Sequence, residues 1–405
     1  MGTATDLRGY QGPAFLSGGF RPFFLAGGIW SALAMLLWIV AVTGMVPLDT
    51  AFDPVDWHVH EMVFGYGTAV LCGFLLTAVP NWTGRLPVAG KPLLLLLLLW
   101  VAGRVVVLFG GGWPWLIVAL VDLAFLAALT AILGREILSA KNRRNLPVLA
   151  LCTTFLLGNG WFHLAAASGG AAYDSPGARI GIAVLITMIS LIGGRIVPSF
   201  TRNWLAKRGP GTLPTPFNRF DAATLGLTIV SLGLWVAAPE ARLAGVALAA
   251  SGAAHAVRFA RWAGWRCLGE PLVMVLHVAY AFLPMGFLLT GAAALWPADI
   301  SVAAGLHAWL AGGVGLMTLA VMTRASLGHT GRELHARWAE TAIYLTVGLA
   351  ALARIAAGLG AADMWRDLAA TGWVAGFAIF VIAYAPILTR PRLAPRRANP
   401  AARTA

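Results

Sequence analysis

Charge is scarce in this 405-residue chain: Asp, Glu, Lys and Arg together make up only 11% of it. No polar stretch is long enough to fold as a soluble domain beside the apolar ones. Cysteine is scarcer still, with three residues, Cys72, Cys152 and Cys267, far apart in the sequence. That scatter gives no disulfide framework, no paired-cysteine metal motif and no CxxCH for covalent haem attachment. A basic segment leading into a short apolar one and a small-residue cleavage site is also missing, so no removable secretory signal is expected at the N-terminus. A strong internal repeat of the kind many transporters carry is absent as well.

What the chain has in abundance is apolar residues, 59% of the total. They fall into twelve stretches, at about 22–44, 58–80, 92–110, 113–138, 146–168, 177–201, 219–238, 241–262, 271–294, 300–324, 338–359 and 366–388, each near the roughly 20 residues a helix needs to cross a bilayer. Within hydrocarbon every backbone polar group must be satisfied internally, which predicts helices. The expected fold is all-α: a polytopic membrane protein of twelve transmembrane helices in one bundle, a single integral membrane domain over 1–405 with a basic tail at 389–405.

The breakers Pro80–Trp82, Gly110–Gly112, Gly209–Pro216 and Trp296–Pro297 fall between stretches. The connecting segments alternate in charge. One side carries 23 of the 29 basic residues, from Arg8 and Arg21 through Arg143, Arg144, Arg202, Arg261 and Arg332 to the tail Arg390–Arg403. The other side carries Asp49, Asp53, Asp56, Asp174, Glu240, Asp299, Asp363 and Asp367. An excess of Lys and Arg marks the cytoplasmic side, so both termini are expected there. The net charge of +13 is what this rule produces, and it calls for no nucleic-acid partner. It suits anionic membrane lipids instead.

Ionisable groups inside spans are costly and mostly functional. Counting along each helix places His58 and His60 at the start of span 2, His163 late in span 5 and His307 early in span 10, all at one level near the outer face. A shared level on separate helices suits a haem or metal site. His255 and His277 fall on the inner half, and His329 and His335 in the loop after span 10. His58 and His60, two residues apart, point about 200° apart on a helix, so they serve two sites or only one is a ligand. Glu61 reads as a proton acceptor or as a charge stabilised at the helix start, and Tyr66 as a source of a phenolic proton. Arg104 and Asp122 sit deep in neighbouring spans, as an ion pair or with Asp122 on a proton route. Arg195 either snorkels or holds an anion or carboxylate. Gly305, Gly312, Gly313 and Gly315 allow close helix approach or make room for a flat macrocycle beside His307. The tryptophans near span ends, among them Trp57, Trp82, Trp113, Trp204, Trp296 and Trp338, read as interface anchors.

Several long segments carry a further signal: Gly19-Phe20-Arg21-Pro22-Phe23-Phe24; Trp57-His58-Val59-His60-Glu61-Met62 with Phe64-Gly65; Gly73-Phe74-Leu75-Leu76-Thr77-Ala78-Val79-Pro80-Asn81-Trp82-Thr83-Gly84-Arg85; Asn142-Arg143-Arg144-Asn145-Leu146-Pro147; Gly193-Gly194-Arg195-Ile196-Val197-Pro198-Ser199-Phe200-Thr201-Arg202-Asn203-Trp204; and the run from Met317 to Arg332. In these segments the chain resembles the NnrS family of bacterial membrane proteins. The resemblance implies a twelve-span protein of the bacterial inner (cytoplasmic) membrane, carrying haem of the b type and copper, that acts in protection from nitric oxide or in its metabolism.

The candidate ligands of iron or copper are His58, His60, His163, His277, His307 and His329, with Arg195 as a further cofactor contact and Glu61 and Tyr66 as catalytic candidates. Three functions stay open. One is reduction of nitric oxide to nitrous oxide, with electrons from quinol or a cytochrome. Another is binding or sensing of nitric oxide, haem or copper without turnover. The third is transport using Arg104, Asp122 and Arg195.

Overall fold

The computed structural model describes residues 10–45 and 48–394. Arg8 and the tail from 395 onward lie outside the described residues. Twelve helices are long and apolar enough to cross a membrane: α1 Phe20–Val42, α2 Pro54–Thr83, α3 Lys91–Phe109, α4 Trp115–Ser139, α5 Arg143–Ala167, α6 Pro176–Leu205, α7 Arg219–Ala237, α8 Arg242–Ala260, α9 Pro271–Leu295, α10 Val302–His329, α11 Trp338–Gly358 and α12 Met364–Thr389. The described residues contain no β-strand. The chain is thus a multi-pass, all-helical membrane protein.

Local chemistry sets the helix ends. Proline occupies the first turn of α2, α3, α6 and α9, and of the α-helical part of α5 from Leu146, where its missing N–H is no loss. Ser175 and Ser301 cap α6 and α10 by accepting from Ala178 N–H and Ala303 N–H. Asn218 and Asp221 form a capping box on α7. Gly84, at φ 71°, ends α2 in a left-handed conformation that suits glycine.

Most helices consecutive in sequence pack together, and α12 returns against α1. Arg21 of α1 ties that closure by donating to the carbonyls of Leu388 (2.9 Å) and Arg390 (2.8 Å). Buried apolar side chains from all twelve helices join one contiguous core.

Three helices stand apart. α2, α6 and α10 are 30, 30 and 28 residues long, and each contains a π-helical segment: Glu61–Tyr66, Ile189–Gly193 and Ala308–Leu316. They recur every fourth span, a periodicity of geometry that residue identities do not display. α6 packs against the π segments of both α2 and α10. A π segment rotates the side chains that follow it relative to an α-helix, and such segments concentrate at functional sites. His60 and His307 are the residues immediately before the first and third.

Two expectations change. Span 2 begins at Pro54, four residues earlier than expected, so Glu61 lies two turns inside the helix, at 0% exposure, and is no helix-start charge. Trp57 is 1% exposed and packs edge-on against Trp30, in the core and not at an interface. Trp113, Trp296 and Trp338 are exposed, as anchors are.

Candidate metal centre

The densest polar cluster in the interior lies between α2, α3, α4 and α5, and Asp122 is its hub. One oxygen, Oδ2, accepts from Asn159 Nδ2 at 2.8 Å, and both His163 Nε2 (3.1 Å) and His60 Nε2 (3.2 Å) face it. The other, Oδ1, pairs with Arg104 NH2. Arg104 NH1 donates in turn to Glu61 Oε2 at 2.8 Å, where Trp30 Nε1 also donates, at 2.6 Å. Glu61 Oε1 lies 2.9 Å from His60 Nδ1. His60 and Glu61 are fully buried, and Asp122, Arg104, Asn159 and His163 are within a few per cent of it.

Hydrogen-bond inventory orients the amide of Asn159. Ionised Asp122 only accepts, so the Asn159 amide must point its NH₂ there, leaving Asn159 Oδ1 to face His60 Nε2 at 3.1 Å. Both ring nitrogens of His60 therefore face oxygen atoms, Nδ1 towards Glu61 Oε1 and Nε2 towards Asp122 Oδ2 and Asn159 Oδ1. Two buried carboxylates and one guanidinium leave one negative charge over, and burial demands that it be compensated.

A metal cation meets the same demand. His60, Asp122 and His163 each offer one ligand atom, and these atoms all lie within 4.8 Å of one another. Two imidazoles and one carboxylate form a donor set that suits first-row transition metals. Glu61 and Asn159 stand behind them as the partners that orient ligands and set tautomers. Phe52, Phe64 and Phe162 wall the His60 ring at centroid distances of 4.9, 5.5 and 5.3 Å, which keeps the surroundings dry.

The local sequence explains the geometry. Gly65 lies in the α2 π segment, where a Cβ would strike the Arg104 guanidinium and the Glu61 carboxylate. Trp100 Nε1 donates to the Gly65 carbonyl at 3.0 Å, which takes up one backbone acceptor there. A Cβ at Gly103 would come within 2.9 Å of Asp122 Oδ1, so two glycines admit the ion pair.

His58 points elsewhere. Its ring lies on Trp38 of α1, 4.4 Å between centroids, and its buried Nδ1 has no hydrogen-bond partner. His307 of α10 places Nδ1 2.7 Å from the Ala303 carbonyl, which leaves Nε2 as its free donor atom. His58 and His307 lie within electrostatic reach of each other, and Arg354 of α11 bears on both. Of the four outer histidines, His60 and His163 thus meet at Asp122, while His58 and His307 lie outside that cluster.

The remaining candidates stand apart from the Asp122 cluster. His277 Nε2 faces Thr201 Oγ1 at 2.8 Å, and its Nδ1 has no partner. His329 is exposed and packs on Phe20. Arg195 is exposed and forms no ion pair among the described residues. Tyr66 is buried, with its hydroxyl 2.5 Å from Thr318 Oγ1. The glycines near His307 serve packing: Cβ positions at Gly305, Gly312 and Gly315 are taken by Thr290, Phe282 and Trp373. His255 belongs to a separate buried network, 2.9 Å from Tyr280 OH and from Thr228 Oγ1. Sequence reading missed Asn159. Its signal was its place one turn before His163 on the same face of α5.

Twelve spanning helices around a buried cluster with a metal-ligating donor set define a multi-pass membrane protein equipped for a metal or haem. Residues 14–392 match the model of the NnrS protein family, so nearly the whole chain is covered and the chain belongs to that family. Membership links it to nitric oxide and to metal or haem binding. No curated protein matches the chain significantly.

Proposed function

We propose that the protein binds nitric oxide and reduces it to nitrous oxide, using a metal ion at His60, His163 and Asp122 and a haem at His58 and His307. The observation that carries the reading is the convergence of His60 and His163 on one buried carboxylate oxygen. The overall reaction joins two nitric oxide molecules, two electrons and two protons into one nitrous oxide and one water.

The donor atoms fit the two groups. Copper suits the imidazole-rich set around Asp122. His58 and His307 offer nitrogen atoms from two helices, the buried Nδ1 of His58 being without a partner, and Arg354 is placed to meet an anionic propionate. When bound, haem and copper would supply one-electron redox chemistry. His277 and His329 are not proposed as ligands.

The chain's own residues do the rest. Arg104 holds Glu61 and Asp122 in place, and Glu61 fixes the His60 ring through Nδ1. The His60–Glu61 pair holds a proton beside the centre, where the reaction consumes them. Phe52, Phe64 and Phe162 give the His60 ring apolar surroundings. Electrons would come from membrane quinol or a cytochrome. The basic loops would face the cytoplasm of a bacterial inner membrane.

Binding without turnover is the second reading. The complete burial of His60 and Glu61 favours it, since protons must reach them for catalysis. Nitrous oxide formed by purified, reduced protein decides between the two. Turnover above a haem-free control supports the enzyme, and none defeats it.

A further inference from the structure

At the end of the helices that carries the basic loops, five guanidiniums gather from three parts of the chain. Arg21 opens α1, Arg332 and Arg337 lie in the α10–α11 connection, and Arg390 and Arg392 follow α12. Their closeness is structural. Leu393 N–H donates to the Thr330 carbonyl at 3.0 Å, which seats the segment after α12 on that connection. Gly331, at φ 76°, allows it: a Cβ there would lie 3.4 Å from Arg392 Cγ and 2.9 Å from the Leu393 carbonyl. Arg332 bears electrostatically on Arg21, and Arg337 and Arg390 bear on Arg332.

The acids nearby are too few. Glu340 accepts from Tyr384 OH at 2.7 Å and from Arg337 N–H at 2.8 Å, Glu270 faces His335 Nδ1 at 3.0 Å and accepts from Ala336 N–H at 3.2 Å, and Glu333 is a third carboxylate here. Five positive charges against three negative ones leave an excess even with all three acids counted. Arg332 NH1 is buried without a hydrogen-bond partner, which is costly for a charged donor. Burial, and then the charges of Arg337 and Arg390, push the Arg332 guanidinium below its ordinary range.

We propose that Arg332, Arg337, Arg390 and Arg392 form a binding site for the phosphodiester headgroup of an anionic membrane lipid, with buried Arg21 adding its charge from behind. A phosphate oxygen would accept from Arg332 NH1 and offset the charge excess. The flanking surface argues for a lipid over free phosphate. Leu334, Trp338 and Leu393 are exposed apolar side chains in the same connection and segment, with Trp338 at 78% exposure. They offer contact to an acyl chain at the depth where tryptophan and basic residues sit at a membrane interface.

The test uses full-length, delipidated protein in neutral detergent, titrated with phosphatidylglycerol, phosphatidylcholine or inorganic phosphate. Thermal unfolding and native mass spectrometry are the readouts. Phosphatidylglycerol raises the unfolding temperature and is retained in the gas phase, while the other two do neither. In Arg332→Gln/Arg392→Gln its affinity falls roughly fivefold per arginine, about 1 kcal/mol each. Arg366→Gln, at the opposite end, binds like wild type. Equal response to the two lipids, or wild-type binding by the double variant, overturns the proposal. An equal response to inorganic phosphate also overturns it, because the site would then read a free anion.

Discussion

His58 and His60 stand two residues apart on α2 and face different surroundings: His60 Nε2 lies 3.2 Å from Asp122 Oδ2, whereas the His58 ring lies on Trp38. Helical geometry imposes this division, since such a pair diverges by about 200°. One helix therefore serves both proposed centres. The consequence is separability: each centre can be lost while the other survives.

The first prediction concerns the His58–His307 pair. His58→Ala and His307→Ala each lower haem content in purified protein, measured as pyridine haemochrome. His335→Ala, whose imidazole is exposed and faces Glu270 at 3.0 Å, leaves it unchanged. Normal haem in both span variants would remove this pair from the account.

Arg104 tests the buried charge balance. Arg104→Met leaves the Glu61 and Asp122 carboxylates without the guanidinium that joins them. Stripping one member from a buried ion pair costs about 3–5 kcal/mol, so a marked fall in unfolding temperature is expected. Arg366→Met, in an exposed pair with Asp363, leaves stability essentially unchanged. Similar unfolding temperatures for the two variants would show that the interior pair is not the strut described.

Gly65→Ala asks whether the π segment makes room for the Arg104–Glu61 contact. The added methyl meets both side chains, and overpacking of this kind costs about 1–3 kcal/mol. The variant should be less stable and hold less non-haem metal. Gly112→Ala, where a Cβ meets nothing within 4 Å, should match wild type in both respects.

Orientation is checked by reporter fusions. A reporter in the α1–α2 connection, at residues 48–53, and one at the C-terminus are expected on opposite faces of the membrane, the second on the cytoplasmic face. Finding both on one face breaks the span count and every depth assigned to a histidine.

The helices were legible in the sequence because hydrocarbon imposes a length and forbids unpaired backbone groups. The ends of α2, α6 and α10 were less so. These helices run past the expected limits of the apolar stretches, and nothing in the letters marks a π segment such as Glu61–Tyr66. The Arg104–Asp122 pair could be read from two opposite charges at similar depth on adjoining spans, and it is present. His60 and His163 shared an expected level and do meet. Asn159 carried no charge to draw notice, and Asp122 gave no sign that it would face two imidazoles as well as Arg104. Trp57 misled because tryptophan at the end of an apolar stretch usually anchors an interface, and α2 begins earlier than that stretch.

The most direct measurement is non-haem metal and haem content, side by side, in wild type, His60→Ala and His163→Ala purified from one expression system. Wild type should contain both, and each variant should lose the non-haem metal while keeping haem. Wild type without any bound metal, or variants with undiminished metal, would contradict a centre built on His60, His163 and Asp122.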